Sequence, residues 1–230
     1  MSVESGPPES SLEAVLFDMD GTLLDSEKLW DVAMDDLAQW LGGELSPQLR
    51  QHMVGSSMAR SITLLHDALD IDADPEVSSA FLLSRMADLF ATGAIWCPGA
   101  RELLESVHAA GLRAALVTST HRRLTEVALD TIGRDFFTAT VCGDEVGQTK
   151  PHPEPYLTAC AKLGALPQRC VVVEDSPVGV AAGQAAGCLV LAVPNQVPIG
   201  PAAGRVVVPS LVGIDAGYLA GLLAPAPFTP

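Results

Sequence analysis

The chain is poor in positive charge. Thirteen Lys and Arg residues stand against 28 acidic ones in 230 positions, for a formal net charge of −15. That deficit argues against a duplex-DNA or RNA binder, which needs a basic face to displace phosphate counterions. It also argues against docking on an anionic membrane surface. Long apolar runs are missing too. The longest stretch, 178–193, is interrupted by Gln184 and by glycines, so it reads as a small-residue helix followed by a strand rather than a membrane span. The first residues, MSVESGPPESSL, have neither the basic start nor the apolar stretch of a signal peptide. Residues 1–12 are therefore expected to be a disordered tail, and the protein cytoplasmic. The five cysteines are odd in number, without CxxC spacing and in apolar surroundings. Reduced, buried thiols explain them better than a disulfide framework or a zinc site.

What is present is apolar mass: 48% hydrophobic and 18% charged residues, a composition that can build a core. Continuous Val/Leu/Ala runs at 13–18, 112–118, 139–142, 170–174, 188–193 and 206–208 read as strands covered on both faces. Helical stretches at 100–109, 122–132, 154–163 and 177–186 separate most of them. This alternation predicts an α/β fold, a doubly wound parallel (Rossmann-like) sheet with its ligand site at the carboxyl ends of the strands. The segment 27–96 breaks the rhythm. It has no strand-like run, and its apolar residues recur at helical spacing, as in Trp30, Ala33, Met34 and Leu37. Gly42-Gly43 and Asp74-Pro75 mark breaks between its helices. The expected organisation is a core of residues 13–26 and 97–223 with an inserted helical cap at 27–96, placed over the strand ends. The Pro-rich end, 224–230, is expected to fray.

Four strand ends carry chemistry. The first holds Asp18-Met19-Asp20-Gly21, two carboxylates two positions apart with a glycine for the turn. One can attack as a nucleophile while its neighbour exchanges protons. The second ends in Thr118-Ser119-Thr120, small hydroxyls suited to phosphate oxygens or to a turn. After the third comes Lys150, in a loop stiffened by prolines, and the fourth ends in Glu174-Asp175. Asp18, Asp20, Glu174 and Asp175 bring four negative charges against one from Lys150. Each like-charge pair near 4 Å costs about 4 kcal/mol at an effective dielectric of about 20. Such a cluster must protonate or hold a cation, and all-oxygen ligands select a hard ion, Mg²⁺ being the usual one beside phosphate. The inventory fits phosphoryl transfer through an aspartyl phosphate.

The motifs FDMDGTLLDSE (17–27), VTST (117–120), KPHPEPY (150–156) and VVVEDSPVGVAAGQAAG (171–187), in this order, resemble those of the haloacid dehalogenase superfamily hydrolases, in the β-phosphoglucomutase-like group with a helical cap. The resemblance spans about residues 13–215. It implies Asp18 as the phosphorylated nucleophile and Asp20 as the acid that protonates the leaving alcohol and then deprotonates water. Thr118 and the Ser119 N–H would hold phosphoryl oxygens, and Lys150 would neutralise charge and orient Asp18. Mg²⁺ would sit on the Asp18 carboxylate, the Asp20 main-chain carbonyl and Asp175, with Glu174 direct or through water. The expected activity is a Mg²⁺-dependent phosphatase of small phosphomonoesters, sugar or polyol phosphates, working as a monomer or weak homodimer on a small phosphorylated metabolite, with no nucleic-acid or membrane partner.

Two departures bear on the alternative, a sugar phosphomutase. Where mutases of the group carry a His after DSE, this chain has Trp30, and the counterpart of a cap-loop Arg is Met58 within Gly55-Ser56-Ser57-Met58. Trp30 is expected as a helix-face core residue, and Lys28, Ser57 and His121 as surface positions near the mouth. Carbon–halogen hydrolysis is a weaker reading, since it needs no metal. A phospho-accepting receiver domain is about half this length and lacks the insert.

Overall fold

The computed structural model of the chain describes residues 12–53, 56, 58–92 and 95–224. Residues 1–11 of the expected tail, Gly55 and Ser57 of the cap loop and residues 225–230 lie outside the described residues. Leu12, grouped with the tail on sequence, is buried in the core.

Six strands form one parallel sheet: β1 (Ala14–Phe17), β2 (Arg113–Val117), β3 (Ala139–Val141), β4 (Cys170–Glu174), β5 (Leu189–Ala192) and β6 (Arg205–Val207). Their order is β3-β2-β1-β4-β5-β6, and the order reverses between β1 and β4, the place where an open sheet leaves a crevice at its carboxyl edge. Strand residues alternate between two cores. Phe17, Leu116, Val171 and Val173 face one side, and Leu16, Ala115, Cys170 and Val172 the other. Helices α5 (Ala100–Ala109), α6 (Arg122–Ile132) and α9 (Ala216–Leu222) cover the first face, and α7 (Glu154–Leu163) and α8 (Pro177–Ala185) the second.

Between β1 and α5 lie the helices α1 (Glu27–Trp40), α2 (Pro47–Met53), α3 (Met58–Leu69) and α4 (Pro75–Ala91). Their starts and stops follow local chemistry. Asp74 accepts a hydrogen bond from the Glu76 N–H and Pro75 opens α4, while α1 ends just before Gly42, whose φ is +85°. The cap's apolar residues Leu37, Leu65, Leu82 and Met86 join the same cluster as Phe17 and Leu116, so cap and sheet share one continuous core. Two chain crossings link them, held by Asp25 N–H to Ile95 O (2.8 Å) and Cys97 N–H to Leu23 O (2.9 Å). Helix α9 has no counterpart in the sequence reading. Asp215 caps it through the Tyr218 N–H, and only two of its residues, Ala216 and Leu219, are buried.

Among the described residues no helix is long and apolar enough to cross a membrane. All five cysteines are free, Cys142, Cys160, Cys170 and Cys188 buried and Cys97 half-buried.

Candidate active site

Register builds the centre of the site. Phe17 pairs with Leu116 on one side and Val173 on the other, so the next row across the sheet edge is Val117, Asp18, Glu174. The strand alternation turns Asp18 and Glu174 toward the face covered by α7. Lys150, in the loop leading into α7, reaches that row. Its Nζ donates to Asp18 Oδ1 (2.6 Å), Glu174 Oε1 (2.7 Å) and the Val117 carbonyl (2.9 Å). Three donors and three acceptors satisfy the ammonium completely. Its side chain is 3% exposed, and the Tyr156 ring lies 5.0 Å from Nζ.

Glu174 is fully buried and saturated. Oε1 also accepts from the Tyr156 hydroxyl (2.8 Å), and Oε2 accepts from the Asp175 and Ser176 N–H groups and the Ser176 hydroxyl. With both oxygens so engaged, the carboxylate anchors Lys150 and the start of α8. Gly179 makes room for it, since a Cβ there would come within 1.6 Å of Oε1. Gly21 does the same for Asp175. Its φ is +82°, and a Cβ would lie 2.2 Å from Asp175 Oδ2.

Asp18, Glu174 and Asp175 are all buried, with ligand atoms within 4.8 Å of one another. Three carboxylates against one ammonium leave an excess of two negative charges in a low-dielectric place. The electrostatics register it. Burial pushes the Asp18 carboxyl from its usual 3.8 up to about 7, with Lys150 pulling down and Glu174 and Asp20 pushing up. For Lys150, burial alone would favour the neutral amine, but Asp18 and Glu174 outweigh it and hold the ammonium. One ammonium shared by two carboxylates explains why Lys150 is firmly charged while Asp18 is not. Burial and the neighbouring Glu174 keep the Tyr156 phenol protonated.

Asp20 stands apart from the cluster. Ser26 Oγ donates to Oδ1 (2.7 Å), and Thr120 Oγ1 (2.7 Å) and Thr118 Oγ1 (3.2 Å) donate to Oδ2. Thr118 also accepts from the Thr120 N–H. A hydroxyl has one proton, so Thr118 must turn from Asp20 before it donates to a ligand, whereas Thr120 can stay. Ser119 is exposed beside it.

Asp18, Asp20, Thr118, Ser119, Lys150 and Asp175 all line one cavity of about 800 Å³ between sheet edge and cap, and Glu174 lies directly behind it. Trp30 has two roles. It packs on the core as its helical spacing implies, and it also lines the cavity, as do Met58 and the exposed His121. Lys28 turns away to pair with Asp25 (2.6 Å). Sequence reasoning missed Tyr156, Ser26 and Thr120 as supports of Glu174 and Asp20. Tyr156 was visible within KPHPEPY, as an aromatic whose hydroxyl needs a partner if buried.

The family model for haloacid dehalogenase-like hydrolases matches residues 12–187. The phosphorylated carbohydrates phosphatase of Thermotoga maritima is 34% identical over 180 residues, 76% of this chain and 82% of that protein. The hexitol phosphatase A of Escherichia coli is 35% identical over 181 residues, 77% and 81% of the two chains. A HAD-family hydrolase of Deinococcus radiodurans, solved with bound phosphate and sodium, superimposes with a TM-score of 0.69 at 30% identity, over 95% of this chain and all of that one. Parallel sheet, helical cap, motif order and relatives agree: the chain belongs to the haloacid dehalogenase-like hydrolases.

Proposed function

We propose that the protein is a phosphatase of small phosphomonoesters with sugar or polyol leaving groups, acting through an aspartyl phosphate on Asp18. The observation that carries this is the single row Val117, Asp18, Glu174 clamped by Lys150, beside Asp175 and facing the cavity between sheet edge and cap. Two relatives, a phosphorylated carbohydrates phosphatase and a hexitol phosphatase, support the substrate class.

The donor set suits Mg²⁺. It is buried, all-oxygen and in excess negative charge. Asp18 and Asp175, with the Asp20 main-chain carbonyl, would hold the ion, and Glu174, already saturated, would act through water. When bound, the cation supplies charge neutralisation for the phosphoryl oxygens and for Asp18.

The protein's own residues divide the remaining work. Asp18 is 6% exposed and spends that surface on the cavity, where its free oxygen attacks phosphorus. As the new O–P bond forms, the ester P–O bond breaks, and Asp20 gives its proton to the leaving oxygen. Asp20 then takes a proton from the water that attacks the phosphorus of the aspartyl phosphate, and the P–O bond to Asp18 breaks to release inorganic phosphate. Ser26 and Thr120 hold Asp20 in place through both steps. Lys150 fixes the attacking carboxylate and offsets phosphoryl charge, and Thr118 turns to the transferred oxygens with the Ser119 N–H.

Hydrolysis is favoured over phosphomutation because Trp30 and Met58, neither a proton carrier nor a phosphate ligand, stand on the cavity wall. Free thiols, four of the five buried, go with a reducing, cytoplasmic setting. The test is turnover of 4-nitrophenyl phosphate by wild type, Asp18→Asn and chelator-treated protein. Loss in both latter cases is expected, and substantial activity of purified Asp18→Asn refutes the assignment.

A further inference from the structure

The two ends of the cavity differ in chemistry. The sheet end carries Asp18, Asp20, Lys150 and Asp175, and the cap end is lined by Trp30, Met34, Met53, Met58 and Leu83. Among the described lining residues the cap contributes one cation, Arg50 on α2. A free guanidinium there would be a ready ligand for a second phosphate or a carboxylate, because its fork matches either group. It is not free. Its Nη1 donates to Asp31 Oδ1 (2.9 Å) and its Nη2 to Asp35 Oδ1 (2.5 Å), two carboxylates one turn apart on the same face of α1. The trio sums to one negative charge at the rim of an apolar wall.

We propose that Asp31 and Asp35 are specificity determinants. By holding Arg50 they leave the cap end negative, so the cavity selects phosphomonoesters whose remote part is uncharged and turns away those with a second anionic group. The inference rests on the phosphatase reading and deepens it to a substrate class. A second phosphate at the cap end must either displace both carboxylates from Arg50 or sit against them. An uncharged skeleton meets no such opposition and lies on the flat indole of Trp30. The three thioethers repack around skeletons of different shape, so several uncharged ones are accepted. All three charged side chains are partly exposed, at 32%, 60% and 41%, so their pairing shapes the local potential while adding little to folding.

The test uses fructose 6-phosphate and fructose 1,6-bisphosphate, which differ by one phosphate on one skeleton. Affinities are measured by titration calorimetry with MgCl₂ on full-length Asp18→Asn protein, which binds without turnover. The monophosphate is expected to bind at least about tenfold more tightly, the size of effect that one or two partly screened charges produce. Adding Asp31→Asn and Asp35→Asn raises the bisphosphate-to-monophosphate affinity ratio about tenfold, because a released Arg50 takes the second phosphate. Arg50→Gln alone leaves that ratio unchanged or lower by no more than about threefold.

Tighter binding of the bisphosphate with Asp31 and Asp35 intact, an unmoved ratio in the double Asn variant, or a tenfold loss of bisphosphate affinity in Arg50→Gln overturns the inference. Failure of both ligands to bind overturns it as well. Phosphate release by the unsubstituted protein is scored separately. If the ratio shifts as stated but neither ester is hydrolysed, the phosphatase reading fails and the selectivity of the cavity stands.

Discussion

Replacing Lys150 by Met tests the electrostatic core of the site. The methionine matches the length of the stem and removes the ammonium that lies 2.6 Å from Asp18 and 2.7 Å from Glu174. What remains is Asp18, Glu174 and Asp175 with oxygens within 4.8 Å of one another. At that separation each ionised pair repels by about 3.5 kcal/mol at an effective dielectric of about 20. Breaking a buried ion pair by deleting one partner costs about 3–5 kcal/mol in general, which agrees. The Val117 carbonyl also loses its side-chain donor, and Glu174 Oε1 keeps only the Tyr156 hydroxyl.

Urea unfolding with chelator at pH 8 is therefore expected to show Lys150→Met less stable by about 3–5 kcal/mol. At pH 5.5 the loss shrinks to half or less, because carboxylates that have lost their counter-charge take up protons instead. A loss under about 1 kcal/mol at pH 8, or one equal at the two pH values, refutes the claim that this lysine neutralises the carboxylate row.

The pH dependence of the metal-free protein follows from Asp18. Its carboxyl is raised in the folded state from 3.8 to about 7, so its stabilising share is whole below pH 3.8 and is lost as pH rises toward 7. The loss is about 4 kcal/mol across that window, and a bound cation reverses it, so MgCl₂ raises Tm more at pH 8 than at pH 5. Scanning calorimetry that finds equal shifts at both contradicts this. Gly179→Ala offers a second check, because helix propensity alone would make it stabilising by about 1 kcal/mol. Since the new Cβ meets Glu174 Oε1 at 1.6 Å, a net destabilisation of about 1–3 kcal/mol with a fall in kcat is expected instead. A more stable Gly179→Ala with full activity shows that the Glu174 seat does not depend on this glycine.

The sheet was legible because its strands are covered on both sides, and continuous runs such as CVVVE mark them without competition. That strand, Cys170–Glu174, and the helices Ala100–Ala109, Arg122–Ile132 and Glu154–Leu163 lie where the sequence places them. Strand ends were harder. Asp18 and Thr118 read as strand residues but belong to the loops, since the chain leaves the sheet to carry them into the crevice. Short α9, with two buried residues, gives too weak a periodicity to see.

The four chemical loops were legible as a set, because register converts adjacent strand ends into neighbours. The supports were not. Ser26 and Thr120 reach Asp20 only through the folded turns, and the same spacing that buries one flank of Trp30 leaves the other on the cavity. Arg50 was invisible as a cavity residue, because only the folded arrangement of the cap brings α2 within ion-pair reach of Asp31 and Asp35 on α1.

The most direct test is chemical trapping of the covalent intermediate. Wild-type protein turning over 4-nitrophenyl phosphate with MgCl₂ is quenched in acid, reduced with borohydride and mapped by peptide mass spectrometry. The account predicts homoserine in place of Asp18 and at no other acidic residue, with the conversion absent when substrate is withheld. Reduction at Asp20, Glu174 or Asp175, or an unmodified Asp18 under steady turnover with burst-phase release of nitrophenol, contradicts it.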